Sequence, residues 1–129
     1  QRHPDEVKTG QSPRVGETHR IIEHLKRLNR DREPVFFMGD MNDSIHPTHK
    51  LAEAGYTSCF AGLGLQPPVT FKCYPTANVE AGRPPISQCV DWIYANHRAR
   101  VLAAAVPQFF YRDSAPSDHW PVQAVYRLA

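Results

Sequence analysis

A carboxylate stands inside an apolar run, Val90-Asp91-Trp92-Ile93-Tyr94-Ala95. Such a run reads as a largely buried strand. Side chains alternate along a strand, so Asp91 shares a face with Ile93 and not with Trp92. A buried carboxylate is costly unless it is paired. Any fold of this chain must therefore point Asp91 inward to a partner or into a cleft. Composition constrains far less. The chain has 129 residues, 41% hydrophobic and 22% charged, enough for one modest core of ordinary globular make-up.

Two other stretches share this character. Val35-Phe36-Phe37-Met38-Gly39-Asp40-Met41-Asn42-Asp43 begins as a short apolar run and turns polar after a glycine. It reads as a buried strand over Val35–Met38, with Gly39 letting the backbone turn and the polar residues held at the strand's C-terminal edge. Ser117-Asp118-His119-Trp120-Pro121-Val122 is a polar cluster opening the last strand. Gly-Asp and Asn-Asp are also ordinary turn chemistry, so no one stretch is specific.

In order, Gly-Asp-x-Asn, Asp-Trp-Ile and Ser-Asp-His-x-Pro-Val resemble the endonuclease/exonuclease/phosphatase family. That family includes DNase I-like nucleases, abasic-site endonucleases, deadenylases, sphingomyelinases and inositol polyphosphate phosphatases. The resemblance runs from the first helix to the C-terminus. It implies an α/β fold of the α+β sandwich type, the C-terminal half of a DNase I-like four-layer α/β/β/α sandwich. It also implies that an upstream half carries a metal-binding Glu and further catalytic residues. The expected organisation is a polar arm or loop over 1–12 and this half-domain over 13–129.

Along the chain, Ser12-Pro13 starts a helix, with Ser as N-cap and Pro at the first helical position. Ile21, Ile22, Leu25 and Leu28 form an apolar stripe, which predicts a helix over about residues 13–30. Pro47 opens a second helix through Ala54, stopped by Gly55. Tyr56–Phe60 reads as extended, 61–68 as a Gly- and Pro-containing loop, and Val69-Thr70-Phe71 as a brief strand. Tyr74–Gln88 is a long loop, and Arg83 within it is a candidate phosphate contact. Cys89–Ala95, Val101–Val106 and Trp120–Leu128 are strands expected to join Val35–Met38 in one sheet. The long helix covers one face of that sheet and leaves the other apolar and open, a face that calls for the upstream half or another chain.

Several classes are disfavoured. No apolar run approaches the length of a membrane span. Residues 1–12 are polar and show no signal peptide. A net charge of +2 is too small to argue for nucleic acid by itself. Cys59, Cys73 and Cys89 lack C-x-x-C spacing, against a closed zinc site. Three buried reduced thiols are preferred to one disulfide and a free thiol. His46 and His49 form H-x-x-H with no third ligand nearby in sequence, so a solvent-facing role is favoured over metal.

Phosphodiester hydrolysis needs an aimed water, stabilised non-bridging oxygens and a stabilised leaving oxygen. Asp40 can orient that water or accept its proton. Asn42 can donate to a phosphoryl oxygen or hold the nucleophile. His119, protonated, is a charged donor to the phosphoryl oxygens. Asp91 can fix the far nitrogen of His119, and the resemblance implies that pairing. Asp118 is a hard oxygen donor for Mg²⁺ or Mn²⁺, with Asp40 as second candidate. Thr70 is a candidate for the cleft border, and Trp92 for core packing.

Two readings follow. One is half of a metal-dependent phosphoesterase, acting on a phosphodiester or phosphomonoester that includes nucleic acid among its candidates. The other is a non-catalytic folding or interaction unit. Lipid or inositol phosphates are a further substrate alternative, because substrate choice lies largely in loops.

Overall fold

The structure, a computed structural model, describes residues 4–9, 11–28, 33–71, 88–112 and 115–129. Cys73, Arg83 and most of the expected 74–88 loop lie outside the described residues. Where an arm or loop is expected, Pro4–Thr9 form helix α1. Helix α2 spans Pro13–Leu28. It starts where Ser12-Pro13 predicts, but the cap is the Ser12 carbonyl, which accepts from the Val15 N–H at 3.2 Å. The Ser12 hydroxyl is buried without a partner among the described residues. The buried stripe of α2 is Thr18, Ile22 and Leu25. Leu28, expected to extend it, is 71% exposed.

Strand β1 is Phe36–Asp40 and helix α3 is His46–Glu53. Gly55 ends α3 with a φ of +87°, a left-handed conformation that glycine adopts without strain. Thr57–Ser58 form the two-residue strand β2, and the extended reading of Tyr56–Phe60 stops there. Cys59–Gly62 turn instead into the short helix α4, capped by the Ser58 hydroxyl, which accepts from the Ala61 N–H. Strands β3 (Asp91–Ala95), β4 (Ala99–Ala105) and β5 (Gln123–Leu128) follow. Val69–Phe71 make no strand, and only Phe71 forms isolated bridges.

The expected single sheet is two sheets. One has the order β1-β3-β2, and the other is the pair β4-β5. All the pairings are antiparallel. Asn96, which is buried, stands where the chain turns from β3 into β4. Its side-chain oxygen accepts from the Val35 and Arg98 N–H groups, and its amide donates to the Glu33 carbonyl. Both polar atoms of the Asn96 side chain thus have partners, which fixes the turn.

The core lies on one face of the three-stranded sheet. Trp92 and Tyr94 of β3 pack with Ile22 and Leu25 of α2, Leu51 of α3, and Tyr56, Cys59, Phe60 and Cys89. Both cysteines are buried free thiols, and burial pushes that of Cys89 up to about 12. The opposite face carries Phe36, Met38 and Ile93, with Met38 60% exposed. None of the described helices is long and apolar enough to cross a membrane.

Candidate active site

Strand β1 runs two residues further than the pattern predicts. Gly39 does not turn the chain, because it lies within the strand opposite Trp92. The turn comes at Asn42, a non-glycine residue with φ of +49°. That extension places Asp40 as the last ladder residue, directly opposite Asp91. Two like charges facing each other across a sheet repel. A positive group is therefore favoured between them.

His119 supplies one. Its Nδ1 lies 2.8 Å from Asp91 Oδ2. Burial draws the ring's affinity for a proton down, but the hydrogen bond to Asp91 and the charges of Asp91, Asp40 and Asp118 outweigh it. The His119 pKa is held above the ordinary 6.5. The imidazolium, with Nδ1 committed to Asp91, keeps Nε2 for a second partner.

Asp40 also shapes its own loop. One carboxylate oxygen accepts from the Asn42 N–H at 2.7 Å, and the other from the Asn42 side-chain amide at 3.2 Å. The turn role and the site role thus fall on the same carboxylate. Asp118 is exposed. The turn before Trp120 is held by the Ser117 hydroxyl, which accepts from the His119 N–H at 3.1 Å. Asp118 reaches His119 by charge rather than by a hydrogen bond among the described contacts.

Asp40, Asp91 and His119 each present a ligand atom within 4.8 Å of the others, and this is the only such cluster found among the described residues. His46 and His49 join none. Hard carboxylate oxygens suit Mg²⁺ or Mn²⁺. With Asp91 engaged by His119, Asp40 is the carboxylate of the cluster best placed to serve a cation. The cluster borders a cavity of about 450 Å³, lined also by Met38, Ile93, Phe109 and Trp120.

Sequence reasoning passed over Asp43. Its Oδ1 accepts from the Ile45 and His46 N–H groups at 2.8 and 3.0 Å, which closes the turn leading into α3 and satisfies the helix's first N–H. Its Oδ2 meets His46 Nδ1 at 2.9 Å. Burial would raise the Asp43 carboxyl, but these bonds hold it below its ordinary 3.8. The Trp92 indole N–H donates to the Asp43 carbonyl at 3.1 Å. Trp92 is thus both core, as expected, and anchor of the loop that carries Asn42. The available signal was an Asx residue three positions before the first turn of a helix.

A helix-backed antiparallel sheet with Asp40, Asp91 and His119 gathered at one strand end is the arrangement that the DNase I-like resemblance implies. Solved structures bear out that fold. The chain matches D. rerio TDP2 crystallised with a single-stranded DNA product at a TM-score of 0.67 and 17% identity, over 88% of this chain and 49% of that one. It matches an endonuclease/exonuclease/phosphatase from Bacteroides vulgatus at 0.67 and 18%, over 90% and 44%. It matches the Bacteroides thetaiotaomicron mannosyl-6-phosphatase Bt3783 at 0.63 and 19%, over 89% and 46%. The fold is that of endonuclease/exonuclease/phosphatase proteins, and the chain spans about half the length of each of these structures. No family model matches the chain, and no curated protein matches it by sequence.

Proposed function

We propose that this chain carries the C-terminal half of the active site of a divalent-metal-dependent phosphoesterase that hydrolyses phosphodiesters. The observation that carries this reading is the 2.8 Å Asp91–His119 pair, set at the strand end that holds Asp40 and Asn42. In this reading His119 Nε2–H donates to a non-bridging phosphoryl oxygen, and Asp91 keeps the ring oriented and charged. Asp40 orients the attacking water and accepts its proton, while Asn42 fixes the Asp40 carboxylate and donates to the phosphoryl group. Asp40 and Asp118 would hold Mg²⁺ or Mn²⁺, whose charge offsets that developing on the phosphate and leaving oxygen.

The remaining donors, a metal-binding Glu among them, belong to the upstream half. That half, or another chain, covers the face bearing Phe36, Met38 and Ile93. A phosphomonoester is the second substrate class, favoured because one of the matched folds is a sugar phosphatase. The test is hydrolysis of a dinucleotide and of a sugar phosphate by the complete protein, with Mg²⁺ and then with a chelator. Metal-dependent turnover of either is expected, with the 129-residue chain alone nearly inactive. Efficient turnover by the chain alone, or turnover indifferent to the chelator, refutes the reading.

A further inference from the structure

Asp91 and His119 come from segments that share no ladder. Strand β3 pairs with β1 and β2, and the segment around His119 meets the rest of the chain through an isolated bridge to Phe71. Something else must set the distance between them. Thr70, 0% exposed, stands where the two segments meet. Its Oγ1 accepts from the Val90 N–H at 3.0 Å and from the Asp91 N–H at 3.1 Å. Its carbonyl accepts from the Trp120 N–H at 2.7 Å. One residue thus bonds the amide of Asp91 itself and the amide next to His119.

We infer that Thr70 is a positioning residue that holds Asp91 and His119 at hydrogen-bond distance. This rests on the proposed role of that pair and adds a part that no motif assigns. The side-chain chemistry explains the residue type. Two inward N–H groups need one oxygen, and the β-methyl restricts χ1 so that the oxygen stays aimed at both. Valine has the same shape and no acceptor. It would leave both amides unpaired and release the first residue of β3 from its contact with the His119 segment.

The test compares Thr70→Val with Thr70→Ser in the complete protein. Two readouts are taken: the NMR signal of the His119 Nδ1 proton, shifted by its hydrogen bond to Asp91, and the separate kcat and KM of phosphoester hydrolysis. Thr70→Val is expected to lose the Nδ1 signal and to lower kcat by about 10²-fold, with KM nearly unchanged, as for a misplaced catalytic group. Thr70→Ser, which keeps Oγ1, should restore both. A Thr70→Val protein that keeps the Nδ1 signal and wild-type turnover overturns the inference. If Thr70→Val does not fold, Thr70→Ser decides: retained signal and turnover support the role of Oγ1, and their loss overturns it. The signal also separates this inference from the functional reading. Its loss in an enzyme without phosphoesterase activity leaves the positioning intact and sinks the activity. Its persistence in an active, His119-dependent enzyme does the reverse.

Discussion

The two faces of the β1-β3-β2 sheet carry residues of the same strands and do opposite work. On the helix side, Trp92 and Tyr94 are among the largest fully buried side chains. On the other side, Met38 and Asp40 of β1 face Ile93 and Asp91 of β3. The covered face holds the chain together. The other face is only partly covered, with Phe36 against Tyr126 and Met38 exposed, and it carries the two facing carboxylates. The contrast teaches that alternation alone sorts packing from chemistry, and that Asp91 is tolerable because it sits on the face where His119 reaches it.

The sharpest way to break the comparison is to strike one face at a time. His119→Ala in the complete protein should lower kcat by about 10²–10⁴-fold, with a much smaller loss of stability, from leaving Asp91 without its partner. A large loss of stability would mean that the pair is structural. Trp92→Ala, on the covered face, should destabilise by about 3–5 kcal/mol through its cavity, seen in urea unfolding. An unchanged midpoint would deny the covered face its role.

Asp43→Ala should cost about 0.5–1.5 kcal/mol, the net worth of a lost hydrogen bond at the start of α3. Its carboxyl is held low, so its contribution is present above pH 3.8 and disappears as pH falls through the lower folded value. The gap between wild type and variant should therefore close in strong acid, and a constant gap would point to packing. His119 titrates the other way. Its pKa is raised, so its stabilising share is full below pH 6.5 and is lost as pH rises through the folded value. Asp91→Asn should bring the ring's NMR titration back down, and an unmoved titration would remove Asp91 as the cause. The smallest effect is expected from Met38→Ser on the open face, within about 0.5 kcal/mol in the chain alone. Sedimentation should show weaker self-association for this variant if the open apolar patch drives it.

Much of this contrast was legible in the residues. The cost of Asp91 in an apolar run signalled a partner, and the helix from Pro13 and the stop at Gly55 followed from local rules. Other features were not. Gly39 looked like the turn but is a strand residue, because its place opposite Trp92 extends the ladder to Asp40. Leu28 fitted the stripe but lies beyond the buried reach of α2. Four strands looked like one sheet, but β4 and β5 pair only with each other. Thr70 and Asp43 had no local signature strong enough to mark them as joints.

The sequence by itself determined which residue types stand at strand ends, the alternation that puts Asp91 with Ile93, and the helical period that buries Ile22 and Leu25. These depend on side-chain spacing within a few residues, which the backbone geometry of a strand or helix converts directly into a face. Only the tertiary structure decided that Asp40 stands opposite Asp91, that His119 lies 2.8 Å from Asp91, and that Trp92 and Thr70 tie their loops in place. Such contacts join residues 20, 28 or 49 positions apart. They are set by register and by the need of each buried donor to find an acceptor, conditions met only once the segments pack together.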